Sequence, residues 1–410
     1  MAGSISGDSA TTAVGDQQQK TQIFAFLAMT CLFFFWGFIT VLNDILIPFL
    51  KESFDLNYTQ AMLVQFCFFG AYFIVSPFAG KLIDKVGYQQ GIVLGLLTTA
   101  AGCFLFYPSA DLHLYELFLM AFFVLASGIT ILQVAANPYV AALGPEKTAA
   151  SRLNLAQAAN SFGTTVGPLV GAALILGAVA TDASAVQGPY LMIAGLLVVV
   201  ALLFRFIKLP VIASVESGDD NSDNSVLGRR PLVLGALAIF LYVGGEVSIG
   251  SFLVNYFAES SIAGLSHAAA GEMVAYYWGA AMIGRLVGAA AMNYIAPTKY
   301  LSLNALIAIV MIIVSMNSSG NIAMWSILAV GFFNSIMFPT IFTLAVRGLG
   351  SLTSKGSGLV CQAIVGGALI PLVQGVAADS IGIQLSFIVP MLCYIYIGWY
   401  ALRGAEQSYS

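Results

Sequence analysis

The sequence predicts an all-α membrane protein of twelve transmembrane helices, arranged as two six-helix bundles. Three observations predict it. Hydrophobic residues make up 59% of the 410 positions and charged residues only 8%, with a mean hydropathy of +0.91. Soluble chains carry roughly 25% charged residues, so a water-soluble fold is excluded. Apolar runs of about 20 residues, the length that crosses a bilayer, recur along the whole chain. The later runs repeat features of the earlier ones at a nearly constant offset.

The runs cover 23–49, 60–82, 90–108, 114–142, 153–178 and 189–208, then 232–257, 272–294, 299–316, 322–345, 356–378 and 383–403. Residues 1–20 are polar and lack the basic stretch, short apolar core and small-residue cleavage site of a signal peptide. They read as a disordered tail. A first bundle over 21–210 and a second over 232–404 flank a polar cytoplasmic linker at 211–231, and 405–410 form a short C-terminal tail. Cytoplasmic loops of membrane proteins concentrate Lys and Arg. With the N-terminus inside, every Lys and Arg except Lys51 falls on the cytoplasmic side, Arg285 among them. Both termini are therefore expected in the cytoplasm.

The repeat rests on four matches. Asp44 and Glu246 interrupt spans 1 and 7, and Gln133 precedes Pro138 by five residues as Asn334 precedes Pro339. Pro168-Leu169-Val170 returns as Pro371-Leu372-Val373, and Gly80 is matched by Gly284. Parallel six-span repeats holding a substrate near the midplane describe the major facilitator architecture, which the chain resembles. Gly80, Leu82, Asp84, Lys85 and Gly87 also resemble that superfamily's cytoplasmic motif, although Tyr88 and Gln89 stand where a basic pair is usual.

A carboxylate inside a spanning helix costs roughly 2.5–3.5 kcal/mol on insertion scales, so Asp44 and Glu246 are expected to serve an ion, a proton or a polar substrate. Polar side chains line up at helical spacing in three spans: Trp36, Thr40 and Asp44 with Asn43 beside them, then Thr130, Gln133 and Asn137, then Asn154, Gln157, Asn160 and Thr164. Residues three or four apart share a helix face, and in lipid that face turns inward. Glu246, Asn255, Asn334 and Gln362 are the counterparts in the second half. Amides that only tie helices together are the competing explanation, and such bonds average well under ~1 kcal/mol. Stripes in three spans at once favour a cavity. Amides and carboxylates can hold pairs of hydroxyls, and an indole offers an apolar plate, which together suit a polyhydroxyl ligand. Pro138, Pro168, Pro339 and Pro371 permit bending, and Gly163, Gly167 and Gly171 allow close helix approach.

Other chemistries find little support. Cys31, Cys67, Cys103, Cys361 and Cys393 lie in apolar runs and read as packing residues. His113 and His267 fall in expected extracellular loops, with no metal-ligand spacing nearby. No phosphate-binding Gly-Lys-Ser/Thr segment occurs. Neither an enzyme, an ATP-driven pump nor a nucleic-acid partner is expected.

Trp36 to Pro48, Gln133 to Val140, Arg152 to Gly163, Glu246 to Tyr256 and Met337 to Ala345 are similar to the fucose–galactose–glucose:cation symporters of the major facilitator superfamily. The resemblance implies a secondary active hexose importer of the bacterial inner membrane, of glucose/galactose type, without a cofactor and working as a monomer by alternating access. Gln133 stands where the family's proton-coupled fucose permease has a second acid. Glutamine cannot titrate, so Na+ is the expected coupling ion, with H+ as the alternative. The cation is expected at Asp44, Asn43, Thr40 and Gln133. The sugar is expected at Trp36, Gln133, Asn137, Gln157, Asn160, Glu246 and Asn334. Fucose or N-acetylglucosamine as substrate, a passive facilitator and a non-transporting sugar sensor remain competing readings.

Overall fold

The computed structural model describes residues 22–55, 58–171, 186–210 and 226–405. The first half contains α1 (Ile23–Ser53), α2 (Tyr58–Val86), α3 (Tyr88–Asp111), α4 (Tyr115–Ala142), α5 (Ala149–Gly171) and α6 (Gln187–Phe206). The second contains α7 (Arg230–Ala258), α8 (His267–Ala291), α9 (Pro297–Asn317), α10 (Gly320–Val346), α11 (Gly350–Ile381) and α12 (Ile383–Gly404). The expected N-terminal tail, most of the linker and nearly all of the C-terminal tail lie outside the described residues. His267, expected in a loop, is the first residue of α8, whose start is capped by the Ser266 hydroxyl accepting from the Ala269 amide. Cys103, Cys361 and Cys393 are buried as expected, whereas Cys31 is exposed.

Hydrocarbon offers backbone groups no partners, so spanning segments satisfy them internally as helix. Ten of the described spans are apolar enough to cross a membrane; α8, which carries Arg285, falls short, and the expected span of α5 runs on past the described residues. α5 and α8 pack against each other between the halves. There α5 brings Ser151, Gln157 and Ser161, and α8 brings Arg285.

Within each half, glycines set the closest helix approach. A Cβ on Gly163 of α5 would overlap the carbonyl oxygen of Phe34 on α1, and one on Gly366 of α11 would overlap that of Phe240 on α7. These are the same contact in the two halves, and they fix the register of the repeat. Phe34 and Phe240 are 206 residues apart, Gly163 and Gly366 203 residues apart. Glu246 therefore corresponds to Thr40, and Asp44 to Gly250. The two acids do not occupy equivalent sites; they are offset by one helical turn.

Prolines supply the contacts between halves. A proline inside a helix leaves the carbonyl four residues earlier without its donor. Pro77 frees the Phe73 carbonyl, which accepts from Gln362 Nε2 at 3.2 Å. Pro138 frees that of Val134, which accepts from Ser357 Oγ at 2.8 Å. Pro339 frees that of Ser335, where α10 breaks between Gly320–Asn334 and Met337–Val346, and Arg285 Nε donates to it at 3.2 Å. The first two bonds cross from one half to the other.

Further bonds close the end of the molecule that carries the linker. Ser151 Oγ donates to the Ala289 carbonyl at 2.5 Å, and Asn154 Nδ2 to Thr340 Oγ1 at 3.4 Å. Lys355 pairs with Asp84 of the loop motif at 3.5 Å, and Arg347 with Glu146 at 3.0 Å. Gly80 makes room for this closure: a Cβ there would lie 2.9 Å from the Ser354 carbonyl.

Candidate functional site

Beyond these contacts an open cavity of about 220 Å³ lies between the halves. Trp36 and Thr40 reach it from α1, Gln133 from α4, Gln157, Asn160 and Thr164 from α5, Tyr242 and Glu246 from α7, and Arg285 from α8. Tyr72, Phe338 and Ile364 complete the walls. Part of each stripe read from the sequence thus meets at one place: Trp36 and Thr40 of α1, Gln133 of α4, and Gln157, Asn160 and Thr164 of α5.

Each polar group has a definite hydrogen-bonding state. Thr40 Oγ1 donates to the Trp36 carbonyl at 2.9 Å, which leaves its oxygen lone pairs free to accept. Asn160 Nδ2 donates to the Phe33 carbonyl at 3.0 Å, which braces α5 on α1. Gln133 Oε1 is buried and has no partner among the described residues. Glu246 accepts from Tyr242 Oη at 2.7 Å and faces Arg285 Nη2 at 4.0 Å. Trp36 is held against Phe33, ring centres 5.1 Å apart. Among the described lining residues the one negative and one positive charge cancel, so the cavity suits a neutral polar ligand better than an ion.

Of the expected sugar ligands, Trp36, Gln133, Gln157, Asn160 and Glu246 line this cavity, and Asn137 and Asn334 do not. Asn137 is wholly buried in α4, one residue before Pro138, on the part of the helix that faces the closed end. Asn334 is buried in the second half, where its Nδ2 donates to Tyr277 Oη at 2.7 Å and Tyr394 Oη at 3.0 Å. Tyr277 in turn donates to the Glu246 carbonyl at 3.5 Å, so Asn334 supports the site from behind. Of the expected cation ligands, Thr40 and Gln133 share the cavity. Asn43 and Asp44 belong to α1, but their side chains lie outside the described residues.

Arg285 departs furthest from expectation. Counted among the charges of the cytoplasmic side, it enters the cavity from within α8. Its signal in the sequence is a lone cation with Ala-Ala-Met-Ile-Gly before it and Leu-Val-Gly-Ala-Ala after it. Tyr242 was also legible, lying four residues before Glu246 on the same helix face.

A larger hollow of about 410 Å³ opens at the linker end beside Tyr88, Gln89, Tyr139 and Ser354. Several of its polar groups are already engaged. Gln89 holds the Phe204 and Ile207 carbonyls, Tyr139 holds that of Pro210, and Tyr88 meets Ser354. The smaller central cavity is therefore the candidate site.

The family model described as Major Facilitator Superfamily matches residues 25–360. The chain belongs to the major facilitator superfamily. Within it, a glucose/galactose transporter of Brucella abortus is 57% identical over 95% of this chain and 96% of that protein. The L-fucose-proton symporter of Escherichia coli is 34% identical over 95% of each. A solved structure of the major facilitator transporter FucP in the outward conformation matches with a TM-score of 0.86 at 34% identity, covering 93% of this chain and 99% of that one. The fucose–galactose–glucose branch of the superfamily thus fits across nearly the whole length, and the chain is a multi-pass transporter rather than an enzyme.

Proposed function

We propose that the protein is a Na+-coupled symporter of a neutral hexose of glucose/galactose type, working as a monomer by alternating access. The observation that carries this reading is the cavity itself. Three amides, an indole and a charge-balanced Glu246–Arg285 pair face one another across about 220 Å³, on residues drawn from both halves of one chain. That volume lies below the ~300–1,000 Å³ typical of drug-sized ligand sites and suits a single sugar ring. Gln133, Gln157 and Asn160 bind hydroxyls, Trp36 packs on the ring, and Glu246 accepts from a further hydroxyl.

Asp44 holds the cation, with Thr40, Asn43 and Gln133 supplying neutral oxygens. A glutamine at 133 supports Na+, because it contributes an oxygen and cannot carry a proton. The H+ reading is favoured by the name of the fucose relative and by the presence of Glu246 in the cavity. The protein sits in the bacterial inner membrane with both termini in the cytoplasm. The closed end carrying the linker is then cytoplasmic, and the structure corresponds to the outward conformation.

Glucose counterflow in proteoliposomes tests the substrate. Labelled glucose exchanging against internal glucose, and competed by galactose, is the expected result. No exchange with either sugar would remove the hexose assignment.

A further inference from the structure

Arg285 is the one described side chain that bonds both halves from inside the cavity. Its Nε is anchored on the Ser335 carbonyl, freed by Pro339 in its own half. Its Nη1 crosses to the other half, donating to the Gln157 carbonyl at 3.4 Å and to Ser161 Oγ. Its Nη2 faces Glu246 at 4.0 Å, beyond the ~2.7–2.9 Å of a charge-assisted hydrogen bond. Guanidinium stays charged at any working pH, and a charge in a low-dielectric interior cannot be left unpaired.

We propose that Arg285 is the strap of the transport cycle. It holds the linker-side gate shut through the Gln157–Ser161 turn of α5 and passes to Glu246 when that gate opens. Opening that end requires α5 and α8 to part, which takes both Nη1 acceptors away. Glu246 lies on the same half as Arg285 and is already within about one ångström of bonding distance, so a side-chain movement suffices. The turn that Arg285 grips also carries the Gln157 and Asn160 side chains into the cavity. A sugar bound there, as the proposed function has it, therefore acts on the strap directly. Arg285 is in this sense a positioning residue for the conformational change as well as part of the cavity wall.

The test is the distance between the halves at the linker end, read by electron–electron double resonance on spin labels at Lys147→Cys and Lys299→Cys. Both positions are exposed, one on each half. The native cysteines are replaced and the full-length protein is reconstituted without ligand. Arg285→Gln should raise the ratio of long to short distances about tenfold, the size expected from one charge-assisted hydrogen bond, and Arg285→Lys should fall between it and wild type. Glu246→Gln should deplete the long distance below wild type. Should a single variant misfold, Arg285→Gln/Glu246→Gln leaves no orphan charge and should be as open as Arg285→Gln. Wild-type distance distributions in Arg285→Gln and in the double variant would overturn the strap. Glucose counterflow by the wild-type protein is measured in parallel. Its absence would defeat the sugar reading alone, since the distances are read without sugar.

Discussion

At the scale of single residues, the side chains that line the cavity and those that merely look as though they should make opposite predictions. Gln157→Ala removes a cavity-lining amide that the proposed function pairs with a sugar hydroxyl. A neutral hydrogen bond is worth about 0.5–1.5 kcal/mol net, so KM for counterflow should rise roughly 2- to 12-fold with little change in Tm. Asn137→Leu should do neither. Both polar atoms of the Asn137 side chain are buried without a partner among the described residues, so an apolar side chain of similar size leaves KM unchanged and Tm level or higher. Asn334→Leu should lower Tm, because two buried tyrosine hydroxyls lose their amide. These distinctions were only partly legible. Helical spacing put Gln133 and Asn137 on one face correctly, but one further turn carries the face from the cavity into the gate. Arg285 is the residue that a loop rule for basic side chains misplaces: a cation flanked by apolar turns within one helix needs polar partners, and Ser335, Gln157 and Ser161 supply them with Glu246 4.0 Å away.

At the scale of elements, the prolines and glycines have separable effects. Ser357→Ala leaves the Val134 carbonyl buried and without a donor, which costs about 1–3 kcal/mol. In a Pro138→Ala background the regained backbone N–H at position 138 fills that carbonyl, so the same change should cost far less. A double-mutant cycle on Tm measures the difference. Gly163→Ala should destabilise by about 1–3 kcal/mol, since α1 and α5 must move apart, whereas Gly70→Ala meets nothing within 4 Å and should be neutral or favourable. The prolines stood out in the sequence as breaks in spanning helices. What they free, and which side chain takes it, depends on the neighbouring helix and could not be read from spacing. The polar residues of α5 and the lone cation of α8 were present in the sequence, and the structure pairs them across the two halves.

At the scale of the whole molecule, the duplication was legible and its register was not. Equal spacing of prolines and glycines showed two halves, but it paired Asp44 with Glu246. The backbone contacts of Phe34 and Phe240 pair Glu246 with Thr40 instead. This asymmetry fits the proposed symport, in which the first half would hold the ion and both halves the sugar. The linker-side gate is fastened chiefly by hydrogen bonds in its interior. The Asp84–Lys355 and Glu146–Arg347 pairs have partly exposed side chains and are worth about 0–1 kcal/mol each. Raising the salt concentration to 1 M, where the screening length falls to about 3 Å, should therefore open the gate less than Ser357→Ala does.

The account turns on a carboxylate at 44 and an amide at 133 together making a sodium site. Asp44→Asn should abolish gradient-driven accumulation and leave counterflow measurable. The most direct measurement is uptake of labelled glucose into proteoliposomes under an inward Na+ gradient or an inward H+ gradient, each imposed alone. Accumulation with Na+ and none with H+ is the predicted result. Accumulation with H+ alone would contradict the sodium site and move the coupling role to Glu246.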